Sequence, residues 1–255
     1  MPYVDINRPR FLQLAYAASS TAHTRFNIGT YKEKTLHRVL KDYFTADTAR
    51  QEVPVDRFVA DVYLPDEIIE IQTSGLASMR DKLEAFLPIA PVTVVFPVAV
   101  RKWISWIEPD SGDIGKKNRS PKIGTPFDAV PEMIYIKPYL KNGNLTVRVV
   151  LLEIEEYRML NGRRSLSRKR GSTRFERMPV DLFGIYDFRT AEDYVALIPM
   201  DRDAEFTTKE LAAAMKYRGR NINAIVHVLM EVGAICRTGK RGNAYLYRFC
   251  EPQVK

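Results

Sequence analysis

The chain has 255 residues, 45% hydrophobic and 27% charged, which excludes a disordered chain, a coiled coil and a collagen-like repeat. Its 39 Lys and Arg against 31 Asp and Glu leave a net charge of +8, which favours polyanionic partners, nucleic acid foremost. Two cysteines, Cys236 and Cys250, exclude a disulfide scaffold and a zinc site built mainly on thiolates.

The first ten residues carry Asp5, Arg8 and Arg10, unlike a secretory signal. The longest apolar run, residues 89–100, is broken by Pro91 and Pro97 and falls short of the roughly 20 residues of a membrane helix. The expectation is a cytoplasmic protein without membrane contact. Domains hold about 100–200 residues. The chain is therefore read as an α/β core over residues 1–102, a strand-containing middle region over 103–200 and a small domain over 201–255.

In chain order, the first predicted helix covers residues 31–44, where Leu36, Val39, Leu40, Tyr43 and Phe44 recur at helical spacing. Thr30 and Glu33 form its capping box. Residues 57–63 and 68–72 read as strands joined by the turn Leu64-Pro65-Asp66-Glu67. A helix over 76–87 ends at Pro88. The β-branched run 92–96 reads as a buried central strand of the kind found in parallel sheets.

In the middle region, 110–126 is a loop by composition, and 133–139 and 145–154 read as strands. Trp103 and Trp106 read as anchors of this region in a core. Residues 161–177 read as a basic loop with Arg163, Arg164, Arg168, Lys169, Arg170, Arg174 and Arg177 against one acid, Glu176. These are candidate phosphate contacts, each releasing counterions; the plain alternative is a solvated insertion.

The last part reads helix, helix, hairpin. Thr207 is an N-cap with Glu210. A second helix over 221–231 buries Ile222, Ile225, Val226 and Leu229, Gly233 is its C-cap, and a hairpin follows over 234–249. This is the order of a winged helix-turn-helix. Arg218, Arg220, Asn221 and Asn223 stand at the start of the helix that enters the major groove in that motif, with Lys240 and Arg241 at the wing tip. A protein-interaction module is the alternative.

The chemistry concentrates in the first region. Asp61 lies in one strand of a hairpin, and Glu70 and Gln72 share a face of the other. Two carboxylates converging at a strand end suit a hard cation such as Mg²⁺ or Mn²⁺, which activates water and offsets charge on a phosphoryl oxygen. Glu33 is a third acid. Read without function, Asp61 and Glu70 are a solvated pair facing helix lysines, but an unpaired acid inside Ile68-Ile69-Glu70-Ile71 is costly. Glu52 and Asp56 are competing acids, Asp56 reading as a turn residue. His23, His37 and His227 are scattered, and His37 reads as a surface residue or one beside Glu33.

A helix carrying Gly29-x-x-x-Glu33, then Asp61, then Glu70-Ile71-Gln72, then a helix and an apolar strand resembles the PD-(D/E)XK nuclease superfamily. The likeness is to the arrangement shared by Holliday-junction resolvases and many restriction enzymes, over residues 29–98. The resemblance implies a restriction-endonuclease-like mixed sheet flanked by helices. It also implies a metal held by Asp61, Glu70 and the Ile71 carbonyl, with Glu33 as accessory acid. Gln72 stands where the family usually has lysine, and Ala60 where it has proline. Some active restriction enzymes carry Gln there; in others the lysine moves to the next helix, where Lys82 is the candidate. The bland reading of Lys82 is a surface partner of Asp81 or Glu84. The expected function is metal-dependent DNA hydrolysis, with a non-catalytic DNA-binding regulator on a decayed nuclease fold as the alternative. RNA is a less expected partner. Many members of the superfamily act as homodimers.

Overall fold

The computed structural model describes residues 3–23, 35–108, 111–164 and 170–251. Their centre is one mixed sheet of eight strands: β1 (Tyr3–Val4), β2 (Gln51–Val55), β3 (Phe58–Tyr63), β4 (Ile68–Ile71), β5 (Val92–Ile107), β6 (Asn118–Arg119), β7 (Leu145–Arg164) and β8 (Arg170–Phe188). The order is β1-β8-β7-β5-β4-β3-β2, with β6 pairing β5 off this path. Strand β4 runs antiparallel to β3 and parallel to β5, and β5 runs parallel to β7.

Helices cover both faces, so the chain is an α/β protein. On one side α1 (Arg8–His23) and α2 (Thr35–Phe44) bury Phe11, Leu36, Val39 and Leu40 against Val62, Ile69, Ile71 and Val95. On the other, α3 (Arg80–Phe86), the 3₁₀ turn Leu76–Met79 before it and the 3₁₀ segment Val130–Tyr139 pack on Ile68, Val92, Val94 and Val147. Strands buried on both faces need continuous apolar runs. That is why all four residues of β4, including Glu70, are buried. Helix α3 is the crossover between the parallel strands β4 and β5.

Two expectations are corrected. Residues 133–139 are not a strand: they lie in the 3₁₀ segment Val130–Tyr139. Pro131 and Pro138 lack the N–H that a ladder needs, and Met133 and Ile136 are buried three residues apart, the 3₁₀ repeat. Residues 161–164 and 170–177 are not a loop: they belong to β7 and β8, paired as a long antiparallel arm with Leu160 opposite Ser172 and Arg164 opposite Arg170, while residues 165–169 lie outside the described residues. Main-chain bonds carry the ladder there, and these do not depend on apolar side chains. Strand β5 also runs well past residue 96, carrying Trp103 and Trp106, and the sheet is continuous across residue 102. Trp103 is half-buried on the sheet, its indole N–H donating to Glu153 Oε1 at 2.6 Å.

After α4 (Ala191–Val195), β9 (Phe206–Thr207), α5 (Thr208–Ala214), α6 (Ile222–Glu231), β10 (Ile235–Arg241) and β11 (Ala244–Phe249) complete the chain. A three-stranded sheet runs β10-β11-β9. Thr207 and Glu210 form the capping box of α5. Gly233 follows α6 at φ 78°, a conformation that costs a side-chain-bearing residue more than glycine. Leu211, Ile225, Val226 and Leu229 join the core under α3, and Lys137 and Lys141 pair with Glu231 at 3.0 and 3.6 Å. Among the described residues no helix is long and apolar enough to cross a membrane.

Candidate functional site

Strands β3 and β4 pair at only two positions, Val62 with Ile69 and Tyr63 with Ile68. Beyond them, side chains replace the ladder. Glu70 Oε1 accepts the Asp61 backbone N–H at 3.2 Å, and Asp61 Oδ2 accepts that of Ile71 at 2.7 Å. Each carboxylate thus satisfies an amide of the opposite strand where the strands part. Ala60 packs into one core and Val62 into the other, so Asp61 sits where the strand changes face.

The Glu70 side chain is only 2% exposed. Its second oxygen accepts from Lys82 Nζ of α3 at 2.7 Å, and the same ammonium donates to the Val59 carbonyl at 2.8 Å. Burial, then the Asp61 charge, push the Glu70 carboxyl up to about 7, against the pull of Lys82. Asp61 behaves oppositely. Burial raises it, but the His37 bond and charge, the Ile71 amide and Lys82 outweigh that and hold it below its ordinary value. His37 Nε2 lies 3.2 Å from Asp61 Oδ2. Two adjacent carboxyls with affinities pushed apart are a recurrent mark of functional sites.

Asp61, Glu70, Ile71 and Lys82 are therefore brought together. Gln72 lies beside them but faces the turn before α3: its side-chain amide donates to Ser78 Oγ at 3.2 Å and to Met79 Sδ at 3.3 Å. Glu33 lies outside the described residues. Asp56 (φ 51°) is at the β2–β3 turn, while Glu52 (φ 53°) pairs with the buried Lys41 at 2.7 Å. Among the described residues no group of three or more His, Cys, Asp or Glu side chains is placed to hold a metal ion.

Sequence reading sets His37 at the surface or beside Glu33, whereas the structure sets it against Asp61. Its signal is position: it borders the apolar stripe of α2, the stripe that faces the sheet. Only the fold shows that Asp61 lies under it.

The candidate nucleic-acid contacts fall into two groups. Arg163, Arg164 and Arg170 lie on β7 and β8, their side chains outside the described set, as are Arg168 and Lys169 altogether; Arg174 is exposed on β8. Arg218, Arg220, Asn221 and Asn223 are exposed around the start of α6, and the Asn221 side chain forms no cap. Lys240 is exposed, with Nζ 5.0 Å from the Tyr245 ring centre. Arg241 turns back and donates to Glu210 Oε1 at 2.8 Å.

Residues 34–189, which hold the carboxylate pair and the β7–β8 arm, match the model of a family described as a domain of unknown function, DUF8091. An uncharacterized protein of Treponema pallidum (strain Nichols) is 30% identical over 222 residues, 87% of each chain. No solved structure matches.

Proposed function

The chain belongs to the DUF8091 family, and from its carboxylate site we propose that it is a metal-dependent deoxyribonuclease of restriction-endonuclease-like fold. One observation carries the reading. Asp61 and Glu70 meet at the point where β3 and β4 part, and the lysine absent from position 72 is replaced at that point by Lys82 of α3. The order α2, β2, β3, β4, α3, β5, with β4 and β5 parallel, supports the same arrangement.

The donors fit a hard cation. Asp61 Oδ1 has no hydrogen-bond partner among the described residues, since the bonds to His37 and to the Ile71 amide both use Oδ2. Magnesium is commonly bound by one or two carboxylates, with water and substrate phosphate completing its shell. Asp61 and Glu70 would hold Mg²⁺ or Mn²⁺, with the Ile71 carbonyl beside them. Bound there, the ion supplies a more acidic water and charge to offset that of the phosphoryl oxygen. His37 orients Asp61 through Oδ2. Lys82 holds Glu70 and brings a positive charge for the phosphate. Gln72, anchored by its amide N–H groups, keeps an acceptor oxygen for a water.

The elements α5, α6 and the β10–β11 hairpin support a winged-helix reading, with Arg218, Arg220, Asn221, Asn223 and Lys240 as DNA contacts. Cys236 and Cys250 are free thiols, which suits the cytoplasm.

One observation favours a second reading. The Lys82 ammonium already neutralises Glu70, as it would in a DNA-binding regulator on a decayed nuclease fold that needs no metal. Titration calorimetry of Mn²⁺ into wild type and Asp61→Ala/Glu70→Ala, with and without DNA, separates the two. Saturable binding lost in the variant, with Mg²⁺-dependent cleavage lost alongside it, supports the nuclease. DNA binding without metal binding supports the regulator.

A further inference from the structure

We propose that Lys102, Arg158, Arg174 and Arg177 form a phosphodiester-backbone site at the base of the β7–β8 arm, leading the polynucleotide toward the carboxylate pair. The proposal rests on the nucleic-acid reading above, but its geometry is separate from that site.

The cluster is built on three strands around one acid. Glu156 of β7 has a side chain only 3% exposed. Lys102 Nζ of β5 lies 3.6 Å from its Oε2, Arg174 of β8 3.7 Å from the same oxygen, and Arg158 2.5 Å from Oε1. Arg177 lies opposite Glu156 in register and donates to the Thr73 carbonyl, one residue beyond Gln72. Its Nε is buried with no hydrogen-bond partner among the described residues. The charge of the nearby Glu176 acts on Arg177 without a hydrogen bond to its guanidinium among the described residues, since the Glu176 oxygens accept from the Thr35 hydroxyl at 3.1 Å and the Arg177 backbone N–H at 2.7 Å. Four cations thus face two carboxylates, Glu156 and Glu176, and three of the four converge on Glu156.

Mutual repulsion bears on the protonation of these groups. Burial, together with the charges of Arg158 and Arg174, lowers Lys102 despite Glu156. Burial and Arg174 push Arg177 down to about 10. The strand pairing points the same way. Arg158 stands opposite Arg174. Like charges in direct cross-strand register destabilise a hairpin. An anion bearing several oxygens, spaced along a chain, relieves both costs, and the guanidinium fork matches phosphate geometry. The bond from Arg177 to Thr73 ties this cationic row to the end of β4, where Glu70 lies.

The test is affinity against salt for Arg158→Gln/Arg174→Gln in full-length protein, using a 20-base-pair DNA duplex and an RNA duplex of the same sequence, without divalent metal. Each lost phosphate contact removes about 0.9 from the log–log salt slope, so the double variant is expected to lose nearly 2 and to bind at least tenfold more weakly at moderate salt. A drop in the preferred arm, DNA or RNA, supports the site. Unchanged slope and affinity, or no binding of either duplex by wild type, overturns it. Should the double variant not fold, the exposed Arg174→Gln alone carries the test, with a loss of about 1 in slope. Metal binding at Asp61 and Glu70 is read independently, so failure of the backbone site and failure of the nuclease reading stay distinct.

Discussion

Lys82 and Glu70 stand 12 residues apart on different elements, yet their charged groups meet at 2.7 Å. The strand delivers a carboxylate that is almost fully buried, and the crossover helix delivers its cation. Removing one partner of a buried ion pair leaves the other uncompensated, which is far costlier than the pair's net worth. Lys82→Met is therefore expected to lower stability at pH 8 by about 3 kcal/mol, read by urea denaturation, and to raise the Glu70 pKa above its value near 7. A variant as stable as wild type would show that the pair is incidental.

Glu70 titrates near 7 in the fold against an ordinary 4.5. Between these values the native state keeps a proton that the unfolded chain has lost, so this group's contribution to stability declines as pH rises through the window. The slope is at most about 1.4 kcal/mol per pH unit. In Glu70→Gln the slope disappears. Measured without metal, the variant gains on wild type as pH rises toward about 7, and the difference levels off above. A difference independent of pH contradicts the raised Glu70 carboxyl.

His37 acts on Asp61 through one oxygen. Partners that orient a metal-binding group typically contribute 10–100-fold in affinity or activity, by the order of magnitude known for such contacts. His37→Ala is expected to weaken Mn²⁺ binding by about tenfold and to raise the Asp61 pKa, followed by carboxyl NMR. His37→Gln, which keeps a donor, should recover part of the affinity; equal loss in both would deny the contact its positioning role.

Gly124 packs against the sheet. A Cβ built there would lie 2.3 Å from the Ala99 carbonyl oxygen, too close for any contact, and the obstacle is backbone that cannot swing away. Gly124→Ala is expected to cost about 1–3 kcal/mol, seen as a lower Tm, with Mn²⁺ affinity unchanged. A neutral substitution would mean that the loop holding Gly124 moves freely off β5.

The local elements were legible where a pattern has one physical cause. The apolar stripe of α2, the all-apolar setting of β4 and the Thr207–Glu210 capping box each follow from spacing, because burial on one helix face, burial on two strand faces and an unsatisfied first turn leave distinct marks. The arm was not legible. Residues 161–177 carry charge in place of alternation, and a strand held by main-chain bonds to a neighbour shows no hydrophobic period. The 3₁₀ segment Val130–Tyr139 was misread because Met133, Ile134 and Ile136 satisfy strand composition, whereas Pro131 and Pro138 forbid the ladder.

By itself, the amino-acid sequence determined the α/β character, the hairpin carrying Asp61 and Glu70, and the cationic excess, because these depend on composition and on contacts between near neighbours. Tertiary structure alone decided that Lys82 reaches Glu70, that His37 reaches Asp61, and that Lys102, Arg158 and Arg174 converge on Glu156. Apart from Arg158 and Glu156, neighbours on one face of β7, these contacts join different elements, and the register and packing that bring them within 4 Å are set by the whole sheet, not by local spacing.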